Sequence, residues 1–93
     1  LEAYHVDKLF FSCKGVHLER GVSESNELQA RVKHRMIGIA DEVLLLADSS
    51  KFGQQAFTHV ADLVEVDGIV TDTRLPAETQ RALADKGIAV SLA

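Results

Sequence analysis

With 93 residues, 46% hydrophobic and 26% charged side chains and a net charge of -4, the chain has the make-up of one small globular domain. The acidic balance argues against direct contact with nucleic acid, which needs a basic stripe to neutralise phosphates; Arg31, Lys33, His34 and Arg35 are a merely local concentration. No apolar run nears the roughly 20 residues of a membrane span, and one cysteine, Cys13, excludes an internal disulfide or a Cys-x-x-Cys site, so the expectation is a cytoplasmic protein with no membrane partner.

In chain order, Lys8 to Cys13 predicts a first strand centred on Leu9, Phe10 and Phe11, ending in a turn at Lys14-Gly15. A polar loop is expected from His17 to Ser25. Leu28, Val32, Met36, Ile39 and Ala40 then recur every three or four residues and predict a helix that buries this stripe, capped by Ser23 or Ser25. Arg31, Lys33, His34 and Arg35 read as its solvated face, with Glu27 four residues before Arg31 in the favourable order. The run from Val43 to Ala47 does not alternate, which suits a second strand covered on both faces. Ala56 to Val66 mixes helical spacing with strand-like neighbours and reads as loop or one short helical turn. Gly68 to Asp72 is a third strand, Pro76 opens a second helix with a stripe of Leu75, Thr79, Ala82 and Leu83, Gly87 stops it, and Ile88 to Leu92 is the last strand. This alternation predicts an α/β, Rossmann-like, mostly parallel sheet of about four strands with flanking helices. So thin a sheet suggests part of a larger domain.

The second strand runs directly into Asp48, Ser49, Ser50 and Lys51. In open α/β sheets small molecules bind outside the carboxyl ends of the strands, so position and chemistry agree. Asp48 could accept from sugar hydroxyls and Lys51 could meet a phosphate, although the same letters suit a solvated turn capped by the aspartate. Lys14-Gly15 and Thr71-Asp72 stand at equivalent strand ends, so the three loops should share one rim. No glycine-rich phosphate loop or nucleophile elbow is present, and His5, His17, His34 and His59 lack metal-site spacing, so no metal, cofactor or catalytic residue is expected. Asp62, Glu65 and Asp67 read as an acidic solvated edge, and Cys13 as a small residue packed at a strand end.

Asp7 to Val16, Gly21-Val22, Glu27, Lys33, Met36, Leu44 to Phe52 and Asp67 to Asp72 together resemble the sensor domain of DeoR-type bacterial transcriptional regulators. The Asp-Ser-Ser-Lys-Phe segment is the most specific part of the match. The resemblance implies a repressor-type regulator of sugar metabolism whose amino-terminal helix-turn-helix binds DNA and whose sensor, similar in fold to ribose-phosphate isomerases, binds a phosphorylated sugar. Asp48 and Lys51 match the family's effector-binding aspartate and lysine, and Gly15 and Asp72 match positions on the same rim. With Lys14, Ser49 and Ser50 they form the expected effector-binding set. Ser12-Cys13 stands where the family usually has Gly-Ala.

On this reading residues 1–93 are the C-terminal part of the sensor, and the DNA-binding helices and the sensor's first half are absent, so the fragment alone is expected to bind effector weakly or not at all. DNA is expected as a partner through the absent helices, and a homo-oligomer is expected. The alternatives are a sugar-phosphate isomerase-like enzyme and an oligomerisation module.

Overall fold

A computed structural model describes residues 5–93. In chain order its elements are β1 (Val6–Ser12), β2 (Gly15–His17), β3 (Gly21–Glu24), α1 (Glu27–Ile39), β4 (Ala40–Leu46), β5 (Thr58–Ala61), β6 (Gly68–Thr71), α2 (Ala77–Asp85) and β7 (Ala89–Leu92), with single 3-10 turns at Ser49–Lys51 and Leu63–Glu65. The four apolar runs expected from the sequence pair as one parallel sheet in the order β1-β4-β6-β7. Its register aligns Phe10 with Leu44, Leu44 with Gly68, and Gly68 with Ala89. The fold is α/β, as the alternation of elements predicts.

The sequence reading missed a second sheet, which is antiparallel in the order β2-β3-β5. β3 lies inside the expected polar loop, and β5 occupies part of the segment expected to be loop or a helical turn; the turn itself follows at Leu63–Glu65. All four residues of β3 are buried, two of them polar. Their polarity hides the strand, because the buried polar groups rest on particular partners and not on alternation. Ser23 Oγ, for instance, accepts from the Ala56 amide at 2.8 Å.

Helix α1 corrects two expectations. Its cap is Asn26, whose Oδ1 accepts from the Gln29 amide at 3.0 Å, while Ser23 belongs to β3. Its buried residues are Ala30 and Ile37, whereas Leu28 and Val32 of the expected stripe are 70% and 49% exposed. The face that packs is set by β1, β3 and β5, against which α1 lies, so Leu28 and Val32 stay outside while Met36 packs partly against the core. Helix α2 follows its signals: Leu75 and Leu83 are buried, and Gly87, at φ 82°, ends the helix. The Gly87 amide bonds to Ala84 O and the Ile88 amide to Leu83 O, the pairing of a Schellman stop, which a glycine in this conformation permits.

The steps β1 to β4, β4 to β6 and β6 to β7 all cross the sheet in the same direction. With the usual right-handed crossover, every connection then falls on one face. Leu9, Phe11, Val43, Leu45, Ala47 and Ile69 are buried on that face. The alternate positions, Phe10, Leu44, Leu46 and Val70, point to the other face and stay partly or largely exposed. The Val43 to Ala47 run, expected to be covered on both faces, is covered on one.

Candidate functional site at the carboxyl rim of the parallel sheet

The three loops expected to converge do so through hydrogen bonds. Asp72, just past β6, accepts at Oδ2 from the Ser49 amide at 2.8 Å, tying the turn after β4 to the end of β6. The Gly53 amide donates to Val16 O at 2.8 Å, tying the same turn to β2 and so to the loop after β1. Asp72 Oδ1 also accepts from the Arg74 amide at 2.9 Å, with the Arg74 guanidinium 3.5 Å away. The Ser49 amide, then the Arg74 amide and side chain, hold the Asp72 carboxyl down at about 2, so it is ionised across the ordinary pH range.

Asp48 caps the turn at Ser49–Lys51. Its Oδ1 accepts from both the amide and the hydroxyl of Ser50, and the hydroxyl contact comes first among the causes that lower its pKa. The aspartate is therefore a cap, as one reading of the letters required, yet Oδ2 has no partner among the described residues and remains available to a ligand. Lys51 is half-buried and Lys14 exposed. Neither forms an ion pair among the described residues.

Gly15 is placed differently from a ligand-facing glycine. It is buried at the start of β2, and a Cβ there would lie 2.5 Å from Gln54 O and 2.9 Å from Ser23 Oγ. Its missing side chain serves the approach of the chain's own backbone. Beside the turn a cavity of about 450 Å³ is lined by apolar Val16, Leu18, Phe52 and Pro76 and by polar His17, Glu19 and Thr79; of the expected set it includes Ser49 and omits Asp48, Ser50, Lys51, Lys14, Gly15 and Asp72.

Glu24 and Lys33 form a feature of the rim that sequence reasoning did not find. The Glu24 side chain is 2% exposed, and Lys33 Nζ donates at 2.6 Å to its Oε2 and at 2.6 Å to Ser12 O, the last carbonyl of β1. The Ser25 amide donates to Glu24 Oε1 at 3.2 Å. Burial pushes the Glu24 carboxyl up, but the Lys33 hydrogen bond, the Ser25 amide and the Lys33 charge outweigh it and leave the pKa lowered. Lys33 was expected on a solvated face beside Arg31, which does pair with Glu27 at 3.1 Å; Lys33 instead turns inward and fixes the strand end. Nothing in local hydropathy marks such a pair, since each partner takes its meaning from the other. Cys13, next along the chain, is buried, and burial pushes its thiol up to about 11, so it is an unreactive packing residue.

The acidic edge also proves partly structural. Asp67 Oδ2 accepts from the Val43 amide at 2.8 Å, and Glu65 reaches back to the Asp62 amide at 2.9 Å. At the amino end of the sheet, away from the rim, His5, Asp7 and Asp41 bring potential metal-ligand atoms within 4.8 Å of one another, a grouping that sequence spacing did not suggest. All three are exposed, and His5 Nε2 lies 2.8 Å from Asp41 Oδ2, so a surface hydrogen bond accounts for the contact.

The sequence model of the family described as the DeoR C terminal sensor domain matches residues 1–73. The chain is 47% identical over 91 residues to the uncharacterized HTH-type transcriptional regulator YulB of Bacillus subtilis (strain 168), covering 98% of this chain and 35% of that protein. It is 40% identical over 86 residues to the HTH-type transcriptional repressor GlcR of the same organism, covering 92% and 33%. It is 36% identical over 81 residues to the L-fucose operon activator of Haemophilus influenzae, covering 87% and 32%. The chain thus spans about a third of the length of these relatives.

Proposed function

The chain belongs to the DeoR C-terminal sensor domain family, and from that premise we propose that it is the C-terminal part of the effector-binding domain of a cytoplasmic transcriptional regulator of sugar metabolism, sensing a phosphorylated sugar. The observation that carries this reading is the turn at Ser49–Lys51. Asp72 holds it against the end of β6, and it presents the free Oδ2 of Asp48 beside a lysine that has no ion-pair partner among the described residues. A carboxylate oxygen with open lone pairs suits sugar hydroxyls, and unpaired ammonium groups at Lys51 and Lys14 suit a phosphate. Glu24 is already neutralised by Lys33, so it does not compete for those lysines at contact distance.

DNA binding belongs, on this reading, to a helix-turn-helix elsewhere in the polypeptide, in keeping with the naming of YulB and GlcR as HTH-type regulators. No described helix is long and apolar enough to cross a membrane. Regulation works by population shift: the effector favours one arrangement of sensor and DNA-binding domains to the extent of its differential affinity for the two. Repression is the mode suggested by GlcR, while the fucose activator shows that a similar sensor also serves activation. YulB and GlcR are named as transcriptional regulators, which favours a regulatory domain over an isomerase.

Calorimetric titration of the full-length protein with a panel of sugar phosphates tests the reading. Asp48→Ala and Lys51→Ala are expected to weaken binding of whichever sugar phosphate the parent takes, with the lysine variant losing the preference for the phosphorylated over the free sugar. Parent-like binding by both variants would remove the site from the rim.

A further inference from the structure

The cavity beside the turn at Ser49–Lys51 lies on a different side of that turn from the groups expected to hold the effector. The turn is of the 3-10 kind: the Lys51 amide donates to Asp48 O at 3.1 Å and the Phe52 amide to Ser49 O at 3.3 Å. Side chains three residues apart eclipse in such a turn, so Asp48 and Lys51 share one side, and Ser49 and Phe52 share the next. The cavity lining includes the second pair and neither member of the first. A molecule seated there meets a different set of groups from one held by Asp48 and Lys51.

The walls are held in place by the fold. Phe52 bridges to Val16 of β2, and the Gly53 amide donates to Val16 O at 2.8 Å, which fixes the turn against the small sheet. In the connection between β2 and β3, the amides of Glu19 and Arg20 both donate to His17 Nδ1, at 3.1 and 3.2 Å. Nδ1 is therefore the unprotonated nitrogen, and the N–H at Nε2 is left as a donor for another partner. The Glu19 carboxylate is exposed and forms no ion pair among the described residues. Thr79, half-buried on α2, adds a hydroxyl that both donates and accepts. Pro76 and Thr79 lie beyond residue 73, where the match to the family's sequence model ends, so the wall they form is no part of that shared pattern.

We propose that this cavity is a second small-molecule site, which takes an uncharged polyhydroxylated molecule of about the size of a free hexose. A ring N–H, a carboxylate and a hydroxyl complement neighbouring hydroxyl groups, each of which donates and accepts. Phe52 and Pro76 offer apolar surface to the C–H face of a sugar. No lysine or arginine lines the cavity, so a phosphate would meet the Glu19 carboxylate with no cation to offset the repulsion. A volume of about 450 Å³ falls within the range of small-molecule pockets, about 300–1,000 Å³. The site goes beyond the effector reading and does not depend on it, since the two sets of side chains share only the backbone of the turn.

Calorimetric titration of the full-length protein with unphosphorylated hexoses, pentoses and hexitols, and with the corresponding phosphate esters, tests the proposal. Glu19→Gln and Thr79→Val alter the cavity, and Lys51→Ala alters the other side of the turn. At least one uncharged probe is expected to bind the parent. Glu19→Gln should weaken it at least about tenfold, the worth of a hydrogen bond to a charged group, and Thr79→Val about threefold. Lys51→Ala should leave that affinity unchanged, while phosphorylated probes should show the opposite pattern. Absence of binding by every uncharged probe above millimolar concentration would overturn the proposal. Binding that survives both cavity variants would overturn it too, as would a free sugar that is lost with Lys51→Ala, because it would then occupy the effector groups. Urea unfolding checks that the variants fold; should Thr79→Val fail, Glu19→Gln, at an exposed position, decides alone. Phosphorylated probes indifferent to Lys51→Ala, together with a free sugar lost in Glu19→Gln, would remove the effector assignment and leave the cavity site standing.

Discussion

The two ends of β1 carry contacts of nearly the same length and very different consequence. At the carboxyl end Lys33 lies 2.6 Å from Glu24, whose side chain is 2% exposed; at the amino end His5 lies 2.8 Å from Asp41, with both side chains 63% exposed. Distance does not separate them, but surroundings do. A polar pair in water loses little when broken because water replaces each partner, whereas a buried carboxylate deprived of its cation has no such recourse. The end of the strand with a buried pair is also the end that bears the candidate site, where a fixed backbone matters for a ligand.

The sharpest way to break this comparison is Lys33→Met in the full-length protein, which leaves Glu24 buried without its cation. The expected loss is about 3–5 kcal/mol of stability, read from urea unfolding. Adding Glu24→Gln should recover part of it, since no charge is then stranded. A loss no larger than that from an exposed pair would mean that the pair is not buried in the working protein.

A pH series follows, with a smaller effect. The Asp72 carboxyl is lowered to about 2 in the folded protein, first by the Ser49 amide, against about 4 for an unfolded aspartate. A group whose folded pKa is depressed stabilises the fold fully above its unfolded value, and this contribution fades as pH falls through the folded one. Asp72→Asn should therefore be less stable than the parent at neutral pH, and the gap should close between about pH 4 and pH 2. A gap that persists unchanged to the bottom of that range would show that the bond from Ser49 does not depend on the ionised carboxylate. The Glu24 carboxyl is also lowered, so its contribution too is lost on the acid side.

Smaller again is the helix cap. Asn26→Ala should cost about 1 kcal/mol in the same unfolding experiment, because it removes the acceptor of the Gln29 amide. Ser25→Ala, at the alternative position suggested by sequence, should be close to neutral, since the Ser25 hydroxyl caps nothing among the described residues. Reversal of that order would return the cap to the serine.

The cap illustrates what the sequence could and could not reveal. The four parallel strands were legible because Leu9 to Phe11, Val43 to Ala47, Gly68 to Thr71 and Ile88 to Leu92 are largely apolar runs set off by turn residues, and convergence of their ends followed from parallel pairing. Asp48 could be read both as a ligand group and as a cap, and the structure lets it be a cap with one oxygen still open. The small sheet was illegible because Ser23 and Glu24 are buried by virtue of Ala56 and Lys33, which lie 33 and 9 residues away in the chain. Hydropathy carries no information about such partners. The apolar stripe of α1 was expected to be buried, but Leu28 and Val32 face away from the described core, where Ala30 and Ile37 pack.

Asp41→Asn is expected to have the smallest effect, and it bears most directly on the contrast between the ends of β1. The substitution keeps an acceptor near His5 while removing the charge, so any electrostatic contribution is lost with little change of shape. Between two exposed side chains this should change stability by no more than about 1 kcal/mol, and the change should shrink further in concentrated salt, which screens exposed charges and leaves the Glu24–Lys33 pair largely untouched. Urea unfolding at low and high ionic strength measures both pairs in the same way. A salt-insensitive loss at Asp41 comparable to that of Lys33→Met would mean that the amino end of β1 is also buried in the full-length protein, and the contrast would then belong to the isolated chain alone.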